Sequence, residues 1–206
     1  MSEENPWVCH HSRWVYESAW LRLREDEVTR PDGQPGKYGV VEFRNHAVGV
    51  VPLTSEGDTF LVGQWRYTLG AYSWEIPEGG APLGEPLLDA ARRELREETG
   101  IEAQKWTYLG ALSTSNSCTN ETGCVFLAED LRFGKPEPEG TERLQVKRVP
   151  LAEAYAMAMN GEITDALAIV GLARAWKHLY HGRISPVFGT LPALPRVVSD
   201  ERKSDR

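Results

Sequence analysis

Residues 79–101 read GGAPLGEPLLDAARRELREETGI, and the spacing inside that stretch decides how the rest of the chain is read. Glu85 can act as an N-cap, Pro86 suits the first helical position and Gly100 suits the residue just past a helix end, so the spacing predicts one helix over 86–99. On that helix Leu87, Leu88, Ala91 and Leu95 form an apolar stripe. Glu94 stands three residues before Glu97 and four before Glu98, so all three carboxylates share a face beside the stripe. Like charges so placed repel by roughly 0.2–0.5 kcal/mol per pair, and an acidic end opposes the helix dipole. Taken alone, the three acids fit either a solvated acidic face or a site for a hard divalent cation such as Mg²⁺ or Mn²⁺, which takes carboxylate oxygens and completes its shell with water and phosphate.

The full pattern is more specific than the acids. Gly79, five residues, Glu85, seven residues, then Arg93-Glu94-Leu95-x-Glu97-Glu98-x-Gly100-Ile101 matches the Nudix box with no mismatch at a defining position. The chain therefore resembles a Nudix hydrolase. The resemblance implies an α+β Nudix fold, a mixed β-sheet sandwiched between helices. It also implies metal ligation by Glu94, Glu97 and Glu98, with the Gly79 carbonyl as a further ligand where the glycine lets the backbone approach closely. Arg93 and Glu85 are candidates for orienting those ligands rather than touching substrate.

With 206 residues, 41% hydrophobic and 26% charged, the chain has room for one well-filled core and an accessory element. A net charge of −7 speaks against a nucleic-acid-binding surface. Cys9, Cys118 and Cys124 form no CxxC pair, which fits a reducing compartment. The acidic start MSEENPWV has no apolar leader core and no run approaches a membrane span, so a cytoplasmic protein without a membrane partner is expected.

Ahead of the box, residues 12–46 predict two or three strands around a PDG turn at 31–33. Residues 1–46 are read as an N-terminal antiparallel β arm, 47–194 as the catalytic domain and 195–206 as a disordered tail. The aromatics of the arm can be buried on its own domain or packed on a second subunit of a two-fold homodimer, where a ring could also stack on a nucleobase. The arm looks like that of Nudix enzymes acting on ADP-ribose and related nucleotide sugars, which puts Trp20 and Tyr38 forward for base stacking. His46–Leu53 and Thr59–Arg66 read as a hairpin across TSEGD. The second run ends GQWR, similar to the Gln-aromatic-Arg of nucleotide-sugar enzymes, and Arg66 could pair with a diphosphate oxygen or form a surface salt bridge. SWEIPEGG over 73–80 reads as one strand, with Glu75 on the side opposite Trp74 and Ile76; the resemblance suggests that Glu75 helps hold substrate.

Behind the box, the loop 115–122, SNSCTNET, reads as a turn. In related ADP-ribose enzymes it faces the terminal sugar and carries Ser-Pro-Gly followed by Glu. Glu121 carries over as a sugar-hydroxyl ligand, whereas the missing proline leaves the sugar preference open. The acidic loop 134–142, GKPEPEGTE, supplies an acid that approaches the metals in the resembled enzymes; Glu142 is the first choice and Glu139 the second. Two core helices are expected over LAEAYAMAMNG and ITDALAIVGLARAWKHLY, broken at Asn160-Gly161.

The resemblance thus implies Mg²⁺-dependent hydrolysis of the diphosphate bond of a nucleoside diphosphate sugar, ADP-ribose first, with Mn²⁺ as a substitute. GDP-mannose or a broad nucleotide-sugar range is the alternative. A non-catalytic nucleotide-sugar sensor would lose box acids and gain a DNA-binding segment, neither of which is seen. An RNA 5′-end hydrolase fits the box but not the acidic balance.

Overall fold

The computed structural model describes residues 4–137 and 143–182. Three antiparallel strands form the arm: β1 (Val8–Glu17), β2 (Leu21–Thr29) and β3 (Pro35–Phe43), in that spatial order. Gly33 takes a positive φ of 80° in the turn between the last two, and its N–H donates to the Arg30 carbonyl.

The run SWEIPEGG is not one strand. It splits into β6 (Ala71–Glu75) and β7 (Glu78–Pro82), and the two join different sheets. Pro77 sits at the break, where it has no N–H to continue a ladder, and its carbonyl accepts from Val50. The expected hairpin is also absent. The strands β4 (Asn45–Pro52) and β5 (Asp58–Arg66) belong to separate sheets, because both edges of β4 are already occupied. One edge takes β7 antiparallel and the other takes β9 (Thr122–Phe133) parallel, while β5 pairs with β6 and with β10 (Gln145–Pro150). The long strand β8 (Ile101–Ser113) closes the outer edge of the β7-β4-β9-β8 sheet.

Alternation along β4 and β9 sends side chains to two cores. Val48, Val50, Cys124, Phe126 and Ala128 face α1 (Leu87–Thr99), whose Leu87, Ala90, Ala91 and Leu95 are buried against them. A leucine as fully buried as Leu95 contributes roughly 1.5–3 kcal/mol. Val51, Val125 and Leu127 face the other core, covered by α2 (Leu151–Met159) and α3 (Ala166–Tyr180). That core needs two glycines. A Cβ at Gly49 would lie 2.8 Å from Ile76 Cδ1 and one at Gly171 would lie 2.9 Å from the same atom, so α3 seats on the sheet only because both lack a side chain.

The catalytic-box helix begins one residue later than expected. Pro86 is the N-cap, and Glu85 pairs with Arg93 instead of capping. Gly100 ends the helix in the left-handed region at φ 70°, and its N–H donates to the Arg96 carbonyl. The break between α2 and α3 falls at Asn160-Gly161, and Asp165 caps α3 by accepting from the Ala168 N–H at 2.7 Å. No described helix is long and apolar enough to cross a membrane.

Candidate active site

A cavity of about 810 Å³ opens between the arm, the β7 strand, the catalytic-box helix and the loop before β9. Its wall includes Gly79, Arg93, Glu94 and Glu97 from the box region, Arg66 from β5, Glu121 from the loop and Trp20 from the arm. The sequence separations are large, so the sheets bring these groups together.

The acids of α1 converge around one guanidinium. Arg93 Nη1 donates to Glu94 at 2.6 Å and to Glu97 at 3.2 Å, while Nη2 donates to the Gly80 carbonyl at 2.8 Å and to Glu85 at 3.1 Å. The hydrogen bond that Arg93 gives to Glu85, with those to Glu94 and Glu97 behind it, raises the basicity of Arg93 above its ordinary range. A single guanidinium nitrogen thus bridges two of the three carboxylates that the resemblance implies as metal ligands. Gly79 leaves room beside them. A Cβ there would lie 2.2 Å from the Glu94 carboxyl carbon, so any side chain at this position would displace that carboxylate. Glu98, only 3% exposed, points inward and accepts from the Glu78 N–H at 2.9 Å. It does not line the cavity, so the three acids of the sequence motif divide into two at the wall and one beneath it.

Arg66 and Glu75 form a second unit. The Arg66 Nε donates to Glu75 at 2.8 Å and Nη2 donates to the same carboxylate, a two-nitrogen fork. Those hydrogen bonds to buried Glu75 raise the basicity of Arg66, against the cost of its burial. Glu75 lies behind the wall and steers Arg66, which reaches the cavity.

Glu78 was not singled out from sequence, yet it lines the cavity. Burial pushes its carboxyl well above the usual range, Asp165 and Glu75 add to the rise, and Arg66 at 3.2 Å opposes it. Among the described residues its Oε2 is buried with no hydrogen-bond partner. Carboxylate oxygens of Glu75, Glu78 and Asp165 all lie within 4.8 Å of one another. The only sequence signals were the acid before Gly79 and a Thr-Asp helix start, each readable as a turn or a cap. Phe43, Asn45, His46 and Gln64 also line the cavity without having been foreseen. His46 hydrogen-bonds Thr122 at 3.2 Å, and burial lowers its basicity.

Glu121 reaches the cavity with its carboxylate held by the Thr114 hydroxyl. Trp20 is 70% exposed at the cavity edge. Tyr38 is placed apart from the wall: its ring packs edge-on to Trp7 at 5.2 Å and its hydroxyl donates to the Ser117 carbonyl. Glu142 and Glu139 lie outside the described residues, as does the expected tail at 195–206. The chain leading toward Glu142 is anchored, since Gly134 N–H donates to the Gly100 carbonyl and Glu137 N–H to the Glu97 carbonyl.

The donor set suits a hard cation. Five carboxylates, from Glu78, Glu85, Glu94, Glu97 and Glu121, line the cavity against the guanidiniums of Arg66 and Arg93. An anionic substrate entering this wall needs further positive charge, which oxygen-ligated divalent ions supply.

Comparison with known proteins agrees with this geometry. The family model for the NUDIX domain matches residues 43–167, and that for the nucleoside diphosphate sugar hydrolase N-terminal domain matches residues 7–41. The ADP-ribose pyrophosphatase of Mycobacterium tuberculosis is 37% identical over 78% of this chain and 79% of its own. That of Bacillus subtilis is 34% identical over 74% of this chain and 83% of its own. A crystal structure of an ADP compounds hydrolase shares the fold, with a TM-score of 0.75 at 23% identity over 89% of this chain and 100% of that one.

Proposed function

The chain belongs to the Nudix hydrolase family, and from that premise we propose that it hydrolyses the diphosphate bond of nucleoside diphosphate sugars, with ADP-ribose preferred, giving a nucleoside monophosphate and a sugar phosphate. The observation that carries this reading is the acid-rich cavity wall, in which Arg93 bridges Glu94 and Glu97 beside a glycine whose side chain, if it had one, would displace the Glu94 carboxylate.

Glu94, Glu97 and Glu98, with the Gly79 carbonyl, are the residues that would hold Mg²⁺, or Mn²⁺ in its place. When bound, such ions neutralise a diphosphate, polarise its P–O bonds and lower the pKa of bound water. Arg93 keeps the carboxylates of Glu94 and Glu97 converged, and Glu85 holds Arg93 in turn. Arg66, steered by Glu75, takes a diphosphate oxygen through its planar guanidinium. Glu121 accepts from a hydroxyl of the terminal sugar, and Trp20 offers a stacking face to the base. Glu142, or a glutamate of the box, positions or deprotonates the attacking water. In-line displacement at phosphorus asks mainly for placement and charge neutralisation, so no nucleophilic side chain is required.

The arm is proposed to form a homodimer. Every residue of β1 except Trp14 is exposed, on both faces of the strand, and Val8, Val15 and Tyr16 are among them. A strand that leaves Val8, Val15 and Tyr16 bare suits cover by a second copy.

The deciding experiment measures phosphate release after coupled phosphatase treatment, with ADP-ribose, ADP-glucose, GDP-mannose and UDP-glucose in Mg²⁺. ADP-ribose is expected to show the highest kcat/KM, and EDTA to abolish the signal. A higher value for GDP-mannose would replace the substrate assignment, and no release from any of the four would overturn the proposal.

A further inference from the structure

The arm and the loop carrying Glu121 are stitched together by bonds that span nearly eighty residues of sequence. Val41 of β3 gives its N–H to the Cys118 carbonyl at 2.8 Å, and its own carbonyl accepts from the Asn120 N–H at 3.2 Å. This makes a short parallel bridge between Val41 and Thr119. The next rung is a side chain. Asn120 Oδ1 accepts from the Phe43 N–H at 2.8 Å, standing where the next strand carbonyl would stand. Further out, the Tyr38 hydroxyl donates to the Ser117 carbonyl.

Both ends of this clasp carry cavity wall. Phe43 and Glu121 line the cavity, and Asn120 bonds the first while adjoining the second. Among the described residues a further side-chain bond joins Thr122 to His46 at 3.2 Å, at the far end of the loop. Residues 115–118 are exposed, so this part of the loop gains little from burial, and its position rests on these bonds, on Thr114 and on Thr122, which pairs with Ser113 at the start of β9.

Building on the proposed nucleotide-sugar activity, we infer that Asn120 is a positioning residue for substrate selection, which locks the Glu121 loop to the arm and so sets the wall against the terminal sugar. The clasp acts on the fraction of molecules whose loop is ready to bind. Losing it lowers that fraction, which raises KM for substrates that use Glu121 and leaves the chemical step alone. The N-terminal arm thereby takes part in sugar recognition within its own chain.

The test uses the full chain. Asn120→Ala removes the acceptor and leaves Phe43 N–H unpaired, and it is expected to raise KM for ADP-ribose about tenfold with kcat within about twofold. The inhibition constant of ADP, which lacks the terminal sugar, is expected to stay within about twofold, and Asn120→Asp, which keeps the acceptor, to restore KM to within about threefold. An unchanged KM in Asn120→Ala, or a parallel rise in the ADP constant, would overturn the inference. If Asn120→Ala does not fold, Tyr38→Phe tests the outer tie of the same clasp, with an expected KM rise of about threefold and no rise as the overturning result. Amide exchange at Val41, Phe43 and Asn120 in the ligand-free chain reads the clasp without substrate: faster exchange in the variant supports it and unchanged exchange overturns it. A wild-type chain that releases no phosphate from ADP-ribose would instead overturn the proposed function, and the exchange result separates the two failures.

Discussion

Arg93 has more acidic partners than any other described basic residue, and its neighbours explain why the box acids tolerate one another. Each of Glu85, Glu94 and Glu97 lies within salt-bridge distance of its guanidinium, so the repulsion read from the helix spacing is offset before any metal arrives. Glu98 is different, because it is buried and tied to the backbone of Glu78. Glu98→Gln keeps an oxygen that can accept from that N–H but removes the charge. We expect kcat for ADP-ribose to fall by at least about 100-fold. The thermal midpoint should stay within about 3 °C, checked by steady-state kinetics and calorimetry on one preparation. Near-normal turnover would sink the assignment of Glu98 to the metal site. At this scale the sequence disclosed identities and missed environments. Glu78 looked like any polar residue at a strand end, yet burial and two neighbouring acids place its carboxyl well above the ordinary range. Those neighbours come from β6 and from the start of α3, and no local pattern announces them.

Elements differ in how far local signals determine them. The box helix was readable because period, proline and glycine all act within a few residues, and its C-terminal end lies where Gly100 predicts. The glycine does more than end the helix. A Cβ there would stand 2.6 Å from the backbone carbonyl carbon of Lys135, in a left-handed backbone. Gly100→Ala is therefore expected to destabilise the chain by about 1–3 kcal/mol, measured as a shift in the urea midpoint. Activity should fall as well, because Gly134 and Glu137 start the loop toward Glu142 from carbonyls of this helix end. A wild-type midpoint would show that the end relaxes without strain. The expected hairpin of β4 and β5 fails for the opposite reason. Both runs are apolar and a good turn joins them, yet strand pairing is settled by partners distant in sequence, and β9 at one edge with β7 at the other leave β4 no room for β5.

The whole molecule sets a cavity between an arm and a layered domain, and the arm has surface to spare. Val15 is 49% exposed and Tyr16 is 58% exposed, on a strand paired along one edge only. Sedimentation equilibrium is expected to give about twice the chain mass of 23.1 kDa. The double substitution Val15→Lys with Tyr16→Lys is expected to give a monomer that keeps its fold by circular dichroism. A monomeric wild-type chain at micromolar concentration would remove the proposed dimer.

By itself the sequence determined the box helix, its terminating glycine, its three acids and the glycine beside them, together with the family to which they belong. All of these are encoded at offsets of a few residues, where helix geometry converts spacing directly into a shared face. Only the tertiary structure decided which groups face each other across the cavity. It set Glu75 behind Arg66, brought Asp165 to Glu78, sent Glu98 beneath the wall, and latched the Glu121 loop to the arm through Asn120. Those meetings depend on which strand edges remain open once the sheets have formed, and that is a property of the whole chain rather than of any stretch of it.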